Sequence, residues 1–343
     1  MTKTLFRQSF LFDSLDLEQE VSVGQTVLGN GVKIKLHQRG VLEVIPANFN
    51  SETKNIIFST GVHGDETSPM ELVDQIIRDI ETGFQVVDAR CLFIIAHPEA
   101  TNAHTRFLDV NMNRLFDEKQ HESNREVEIA NNLKCLVTEF YEQTEPATRW
   151  HLDLHCAIRL SKHYSFAVSP KVRHQVRSKE LFDFINSAHI EAVLLSNAPT
   201  NNTFSWYSAE HFAAQALTLE LGQVARIGEN QLDKLTAFDL AIRNLIAEVE
   251  PEHLPRKPII YRVSRTIVRL HDDFDFIFSD TVENFTVFKH GEVFGHDGDK
   301  PLMAKNENEA VVFPNRNVAV GQRAALMVCE VETRFDHGQL VYD

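Results

Sequence analysis

Apolar residues along the chain change period several times, and each change predicts an element. Residues 21–60 carry short apolar stretches, and in QTVLGNGVKIKLH a Gly-Asn-Gly turn between two of them predicts a hairpin. KNIIFST predicts a short buried strand ending at Gly61. From Ser68 the period becomes helical: Met70, Leu72, Val73, Ile76, Ile77 and Ile80 share one face, with Ser68 as N-cap and Pro69 at the first helical position. RCLFIIAHP reads as another buried strand, stopped by Pro98, followed by a loop through residue 123 and a helix over about 124–141. RWHLDLH, EAVLLSN and ALTLELG read as three more strands, and a long helix covers roughly Gln231 to Glu248.

Strands alternating with helices predict an α/β domain with a largely parallel sheet. Pro251, Pro255 and Pro258 interrupt that rhythm, and beyond them IIYRVSRTIVRL, FTVFKHGEVFG, EAVVFPN and ALMVCEVETRF are strand-like and punctuated by glycine. A boundary near residue 255 is therefore expected, giving an α/β domain over 1–255 and a smaller β-rich domain over 256–343.

Composition narrows the possibilities. With 343 residues, 43% of them hydrophobic, the chain can bury a substantial core, and no run approaches a membrane span. The segment MTKTLFRQSFLFDSLDLEQE carries acids too early for a secretory signal. Cys91, Cys135, Cys156 and Cys329 are scattered with no CxxC pair, and three of them sit in apolar runs, so buried thiols in a reducing cytoplasm are expected rather than disulfides. A net charge of −15 repels nucleic acid and anionic membranes, while leaving room for a locally basic pocket.

Four segments carry chemistry. In GVHGDETSP, His63 and Glu66 stand three apart between a strand and a helix, where open α/β sheets bind ligands. Joined by a later histidine they make a two-His, one-carboxylate set that leaves a zinc position open to water; read alone, the pair could simply cap the helix. In HLDLHCAIR, His151, Asp153 and His155 share one strand face. His155 ends the apolar run; Asp153 either orients a metal-bound histidine or sits in solvent, and His151 reads as a packed or surface residue. In ALTLELG, Glu220 is an acid inside an apolar run, either a base beside a metal or half of a salt bridge; desolvation would raise its pKa. In RFLDVNMNRLF, Arg106, Asn113 and Arg114 suggest an anion-recognition loop, or a solvated one paired with Asp109 and Asp117.

HGDE, RFLDVNMNR, DLH and LELG, in that order over about residues 1–250, resemble the aspartoacylase and succinylglutamate desuccinylase family, relatives of zinc carboxypeptidases. The resemblance implies a carboxypeptidase-like mixed, largely parallel sheet flanked by helices, with a β-rich tail. It implies one Zn²⁺ held by His63, Glu66 and His155, with Glu220 as catalytic base and Arg106, Asn113 and Arg114 on the substrate. Asp65 in HGDE and the stretch Cys156, Ala157, Ile158, Arg159 depart from the Asn and Asn-Thr of aspartoacylases and favour the desuccinylase branch; Asn111 also departs from the usual Asp. That branch implies hydrolysis of N-succinylglutamate, the last step of arginine catabolism, with Arg159 as a further cation for a substrate bearing three carboxylates. The remaining readings are a deacylase of another N-acyl amino acid and a metabolite-binding protein without catalysis.

Overall fold

The computed structural model describes residues 5–197, 202–251 and 257–342. Helix α1 (Phe10–Leu15) precedes a meander of β1 (Gly24–Val27), β2 (Lys33–Gln38) and β3 (Val41–Ile45), whose first turn is the expected hairpin. Strands β4 (Asn55–Thr60), β5 (Arg90–Ile95) and β6 (Arg149–Ala157) follow, then β7 (Ser165–Ser169), β8 (Ala192–Leu195) and β9 (Gln215–Gln223). Between them lie α2 (Ser68–Thr82), α3 (Pro98–Asn102), α4 (Arg125–Tyr141), α5 (Lys179–Ser187) and α6 (Phe204–Phe212), with α7 (Thr236–Ile246) after β9.

The centre of the sheet runs β5-β4-β6-β9 in parallel, β7 is antiparallel to β9, and β3 is antiparallel to β5. The central strands read as continuous apolar runs because both faces are covered. Along β4, Ile56 and Phe58 point into one core while Ile57 points into the other; β5 does the same with Cys91 and Phe93 against Leu92 and Ile94. The first core is closed by the apolar faces of α2, α5 and α7, the second by α4 and Phe204 of α6.

Two helix starts differ from expectation. α2 is preceded by Thr67, in a helical conformation and without a side-chain cap. Ser68 lies inside the helix because its hydroxyl is drawn to Cys156 Sγ at 3.1 Å and to the Leu221 carbonyl at 3.3 Å. The helix expected over roughly Gln231 to Glu248 is shorter: Leu232–Leu235 form a 3₁₀ turn before α7. β7, α5 and α6 answer to no expected element.

The β-rich part comprises β10 (Ile259–Val268), β11 (Phe274–Phe276), β12 (Thr286–Phe288), β13 (Val293–Asp297) and β14 (Lys300–Met303), then β15 (Glu309–Val312), β16 (Arg323–Glu330), β17 (Thr333–Asp336) and β18 (Gln339–Tyr342). β10 pairs in parallel with β8, so β16, β15 and β12 extend the central sheet to 13 strands. Across this junction Phe166, Ala192 and Leu194 share a core with Tyr261, Val263 and Phe285. Residue 255, the expected boundary, lies outside the described residues. Among the described residues no helix is long and apolar enough to cross a membrane. All four cysteines are free thiols; Cys91 and Cys156 are buried, Cys329 is half-buried and Cys135 is exposed.

Candidate metal centre

β4 ends at Thr60, and the chain turns at Gly61, whose φ of 68° is the left-handed region open to glycine. The turn brings His63 and Glu66 to the carboxyl edge of the sheet just before α2. Gly64 must be glycine for another reason: a Cβ there would lie 2.3 Å from the Ala100 carbonyl carbon of α3. From the neighbouring β6, His155 completes a buried trio whose ligand atoms all lie within 4.8 Å of one another. Nδ1 of His63 is 2.9 Å from Glu66 Oε1, and Nδ1 of His155 is 2.8 Å from Glu66 Oε2 and 3.2 Å from Nδ1 of His63.

The far nitrogen of each imidazole is engaged. Nε2 of His63 donates to Asn111 Oδ1 at 3.0 Å, and Nε2 of His155 donates to Asp153 Oδ2 at 2.9 Å. Without a metal, desolvation opposes the charge of His155, but the Asp153 and Glu66 carboxylates raise its pKa well above the ordinary value. In the neutral form that a metal requires, each of these bonds fixes the tautomer that leaves Nδ1 as a lone pair. Two lone pairs and a carboxylate then converge on one point, which suits a divalent cation with nitrogen and oxygen ligands and an open fourth position. Asn111, which had no assigned part, is thus a partner of His63, and its carboxamide oxygen also accepts from Asn113 N. Burial pushes the Glu66 carboxyl up, but the facing His63 and His155 imidazoles hold it well below its ordinary value. Burial lowers the pKa of His63.

Glu220 stands directly across from His155 in the β6–β9 register. Desolvation, and then the Glu66 carboxylate, raise its pKa to about 7, the condition in which a carboxylate can exchange a proton near neutrality. On the other side of the cluster, Arg106 Nη1 donates to Glu66 Oε1. Asn113 is buried, and its side-chain oxygen accepts from Phe204 N at 2.9 Å, leaving its NH₂ for a ligand. Arg114 keeps an exposed face, yet surrounding protein desolvates its guanidinium and Arg323 and Arg106 crowd it, lowering its pKa to about 10. Arg159 is not part of this cluster of contacts. Its guanidinium donates to the carbonyls of Asp280, Val282 and Pro314, and it lines a cavity of about 330 Å³ with Ser68, Tyr164, Gly222 and Lys234.

The loop bearing Arg106 and Arg114 is pinned by Glu126, a fully buried acid in the first turn of α4. Its Oε1 accepts from Leu108 N at 2.7 Å and Asp109 N at 3.1 Å, and Nε2 of His97 lies 3.2 Å away. Burial works against its charge, but those two backbone N–H groups lower its pKa. In the sequence Glu126 is indistinguishable from an ordinary first-turn acid.

Residues 52–246 match the family described as the succinylglutamate desuccinylase/aspartoacylase catalytic domain, and residues 256–331 match the AstE/AspA barrel-sandwich hybrid domain. A succinylglutamate desuccinylase of Vibrio parahaemolyticus is 75% identical over 343 residues, covering 100% of both chains. The crystal structure of succinylglutamate desuccinylase from Vibrio cholerae superposes with a TM-score of 0.97 at 69% identity, covering 99% of this chain and 100% of that one. That of the succinylglutamate desuccinylase from Chromobacterium violaceum gives a TM-score of 0.82 at 30% identity, covering 94% and 98%.

Proposed function

The chain belongs to the succinylglutamate desuccinylase/aspartoacylase family, and from that premise we propose that it hydrolyses N-succinyl-L-glutamate to succinate and L-glutamate, the last step of arginine catabolism by the succinylated route. It is a hydrolase of an amide bond. What carries the choice of substrate is the 75% identity, over the whole of both chains, to a relative that bears the name of this reaction.

His63, Glu66 and His155 would hold one zinc ion, which when bound supplies a Lewis acid that acidifies water and polarises the amide carbonyl. Glu220 takes a proton from the attacking water as the new C–O bond forms at the amide carbon, and then gives it to the nitrogen, whose C–N bond breaks to release the amine of glutamate and the carboxylate of succinate. Arg106, Arg114 and the Asn113 amide bind and orient the anionic substrate. Arg159 adds charge on the cavity side, its nitrogens being bonded to main-chain carbonyls rather than to an acid. We keep the division at residue 255, with the site on 1–255 and the β-rich unit on 256–343. Free thiols at all four cysteines suit a reducing cytoplasm.

The purified protein, assayed on a panel of N-acyl amino acids, should favour N-succinylglutamate over N-acetylglutamate by orders of magnitude in kcat/KM. An unpaired arginine site penalises the missing carboxylate far more than a methylene pocket penalises a missing methylene, which is about 1–3 kcal/mol. Equal rates would return the protein to a general acylase, and no hydrolysis of any of them would make it a binding protein.

A further inference from the structure

Behind the metal cluster a row of polar side chains crosses the core where apolar residues would pack at lower cost. Ser59 on β4, His151 and Asp153 on β6 and Ser208 on α6 are each 0% exposed. Buried polar groups are tolerated when every one is hydrogen-bonded, and here every link is short. Ser208 Oγ lies 2.7 Å from His151 Nδ1, His151 Nε2 lies 2.8 Å from Ser59 Oγ, and Ser59 Oγ donates to Asp153 Oδ1 at 2.6 Å. Asp153 Oδ2 then receives Nε2–H of His155.

The direction of the row follows from one proton. The Ser59 hydroxyl has a single hydrogen and gives it to Asp153, so towards His151 it can only accept. Nε2 of His151 must therefore carry its proton, and Nδ1 must accept from Ser208. Every donor points towards Asp153, and the last bond leaves Nδ1 of His155 facing Glu66 and His63. The Phe204 ring, edge-on to His151 at 4.6 Å and 88°, keeps that imidazole from turning.

We infer that Ser59, His151 and Ser208 are positioning residues for the metal, fixing Asp153 and through it the ring orientation of His155. The inference rests on the metal reading above and adds to it residues that touch neither metal nor substrate. Burial, which lowers the pKa of His151 to about 4, keeps the imidazole neutral, as the row requires.

Two measurements test it. Nitrogen NMR of the zinc-free protein should find His151 as the Nε2–H tautomer, unchanged between about pH 6 and 8; the Nδ1–H tautomer would reverse the row and overturn the inference. Zn²⁺ affinity, measured by competition with a chelator, should fall several-fold in Ser59→Ala, towards the about 10-fold that marks loss of a ligand's own partner, and return in Ser59→Thr, which restores a hydroxyl. Ser208→Ala, a substitution that helices accept well, should weaken binding in the same direction if Ser59→Ala proves too unstable to titrate. Zinc affinity equal to wild type in both alanine variants would overturn the chain of positioning residues alone. A wild-type protein that takes up no Zn²⁺ would overturn the metal reading and this inference together.

Discussion

Nη1 of Arg106 donates to Oε1 of Glu66 at 2.6 Å, the same oxygen that faces Nδ1 of His63 at 2.9 Å. One nitrogen of the guanidinium fork is thereby spent on a cluster carboxylate, and the others remain to meet a substrate. Arg106 is about 30% exposed, whereas Glu66 is 2% exposed, so the arginine forms the wall between cluster and solvent. A lysine ammonium has no planar fork, so beside Glu66 it cannot also hold a substrate carboxylate through two parallel bonds. Arg106→Lys should keep zinc, because the charge beside Glu66 survives. It should lose roughly 10–100-fold in kcat/KM, the scale of about 1.5–3 kcal/mol for a hydrogen bond to a charged group. Unchanged kcat/KM would remove Arg106 from substrate binding.

Glu126 makes a second, quieter claim on the same loop. Glu126→Ala leaves the amides of Leu108 and Asp109 without their acceptor, at a cost of about 1–3 kcal/mol in local stability. Hydrogen exchange at those two amides should accelerate, and KM should rise several-fold with zinc content unchanged, since no ligand of the cluster is touched. An unaltered KM beside accelerated exchange would separate loop order from substrate binding.

How much of this could be read from the sequence depended on whether a residue's role is local. The segments that bring His63, Glu66, His155 and Glu220 together sit at the ends of strands buried on both faces, and such strands are visible as apolar runs. α6 was invisible because FSWYSAEHF is aromatic and strand-prone, and it is held as a helix by the Thr203 cap and by packing of Phe204 against Phe116. α5 is legible in the sequence, where Leu181, Phe182, Phe184 and Ile185 have helical spacing behind a Ser178 cap. Ser59 could not be singled out, because its partner Asp153 is 94 residues away and the pair exists only through the β4–β6 register. The spacing that made Asp153 ambiguous is settled by the same register, which places it buried and bonded to His155 rather than in solvent.

The β-rich unit has its own titrating anchor. Glu309, fully buried, accepts from Arg265 Nη2 at 2.9 Å, Ser264 Oγ at 2.6 Å and Lys305 N at 2.9 Å. Burial opposes its charge, but Arg265 and Ser264 lower the pKa to about 2 from the ordinary 4.5. A depressed carboxylate pKa stabilises the folded state above the unfolded value, and that stability is lost as pH falls from about 4.5 towards 2. A shift of that size corresponds to at most about 3 kcal/mol. Thermal unfolding followed from pH 6 down to 3 should therefore show a steeper loss for the wild type than for Glu309→Gln, with the variant less stable at pH 6. Parallel curves would assign the acid sensitivity to other carboxylates.

Glu220 separates catalysis from binding. Three donors already converge in the cluster, so its carboxylate should not be needed to hold zinc, and its position on β9, paired with His155 of β6, suits it to move a proton. Glu220→Gln keeps the size and a hydrogen-bonding group while removing the base. The variant should fold, retain one zinc and bind substrate, while kcat falls about 10²–10⁴-fold, the usual contribution of a positioned general base. A fall in kcat with KM little changed is the pattern expected when only the transition state loses an interaction. Near-normal turnover would mean that another group accepts the proton. Loss of zinc would make Glu220 a ligand, and would leave the open position that water requires to be found elsewhere in the cluster.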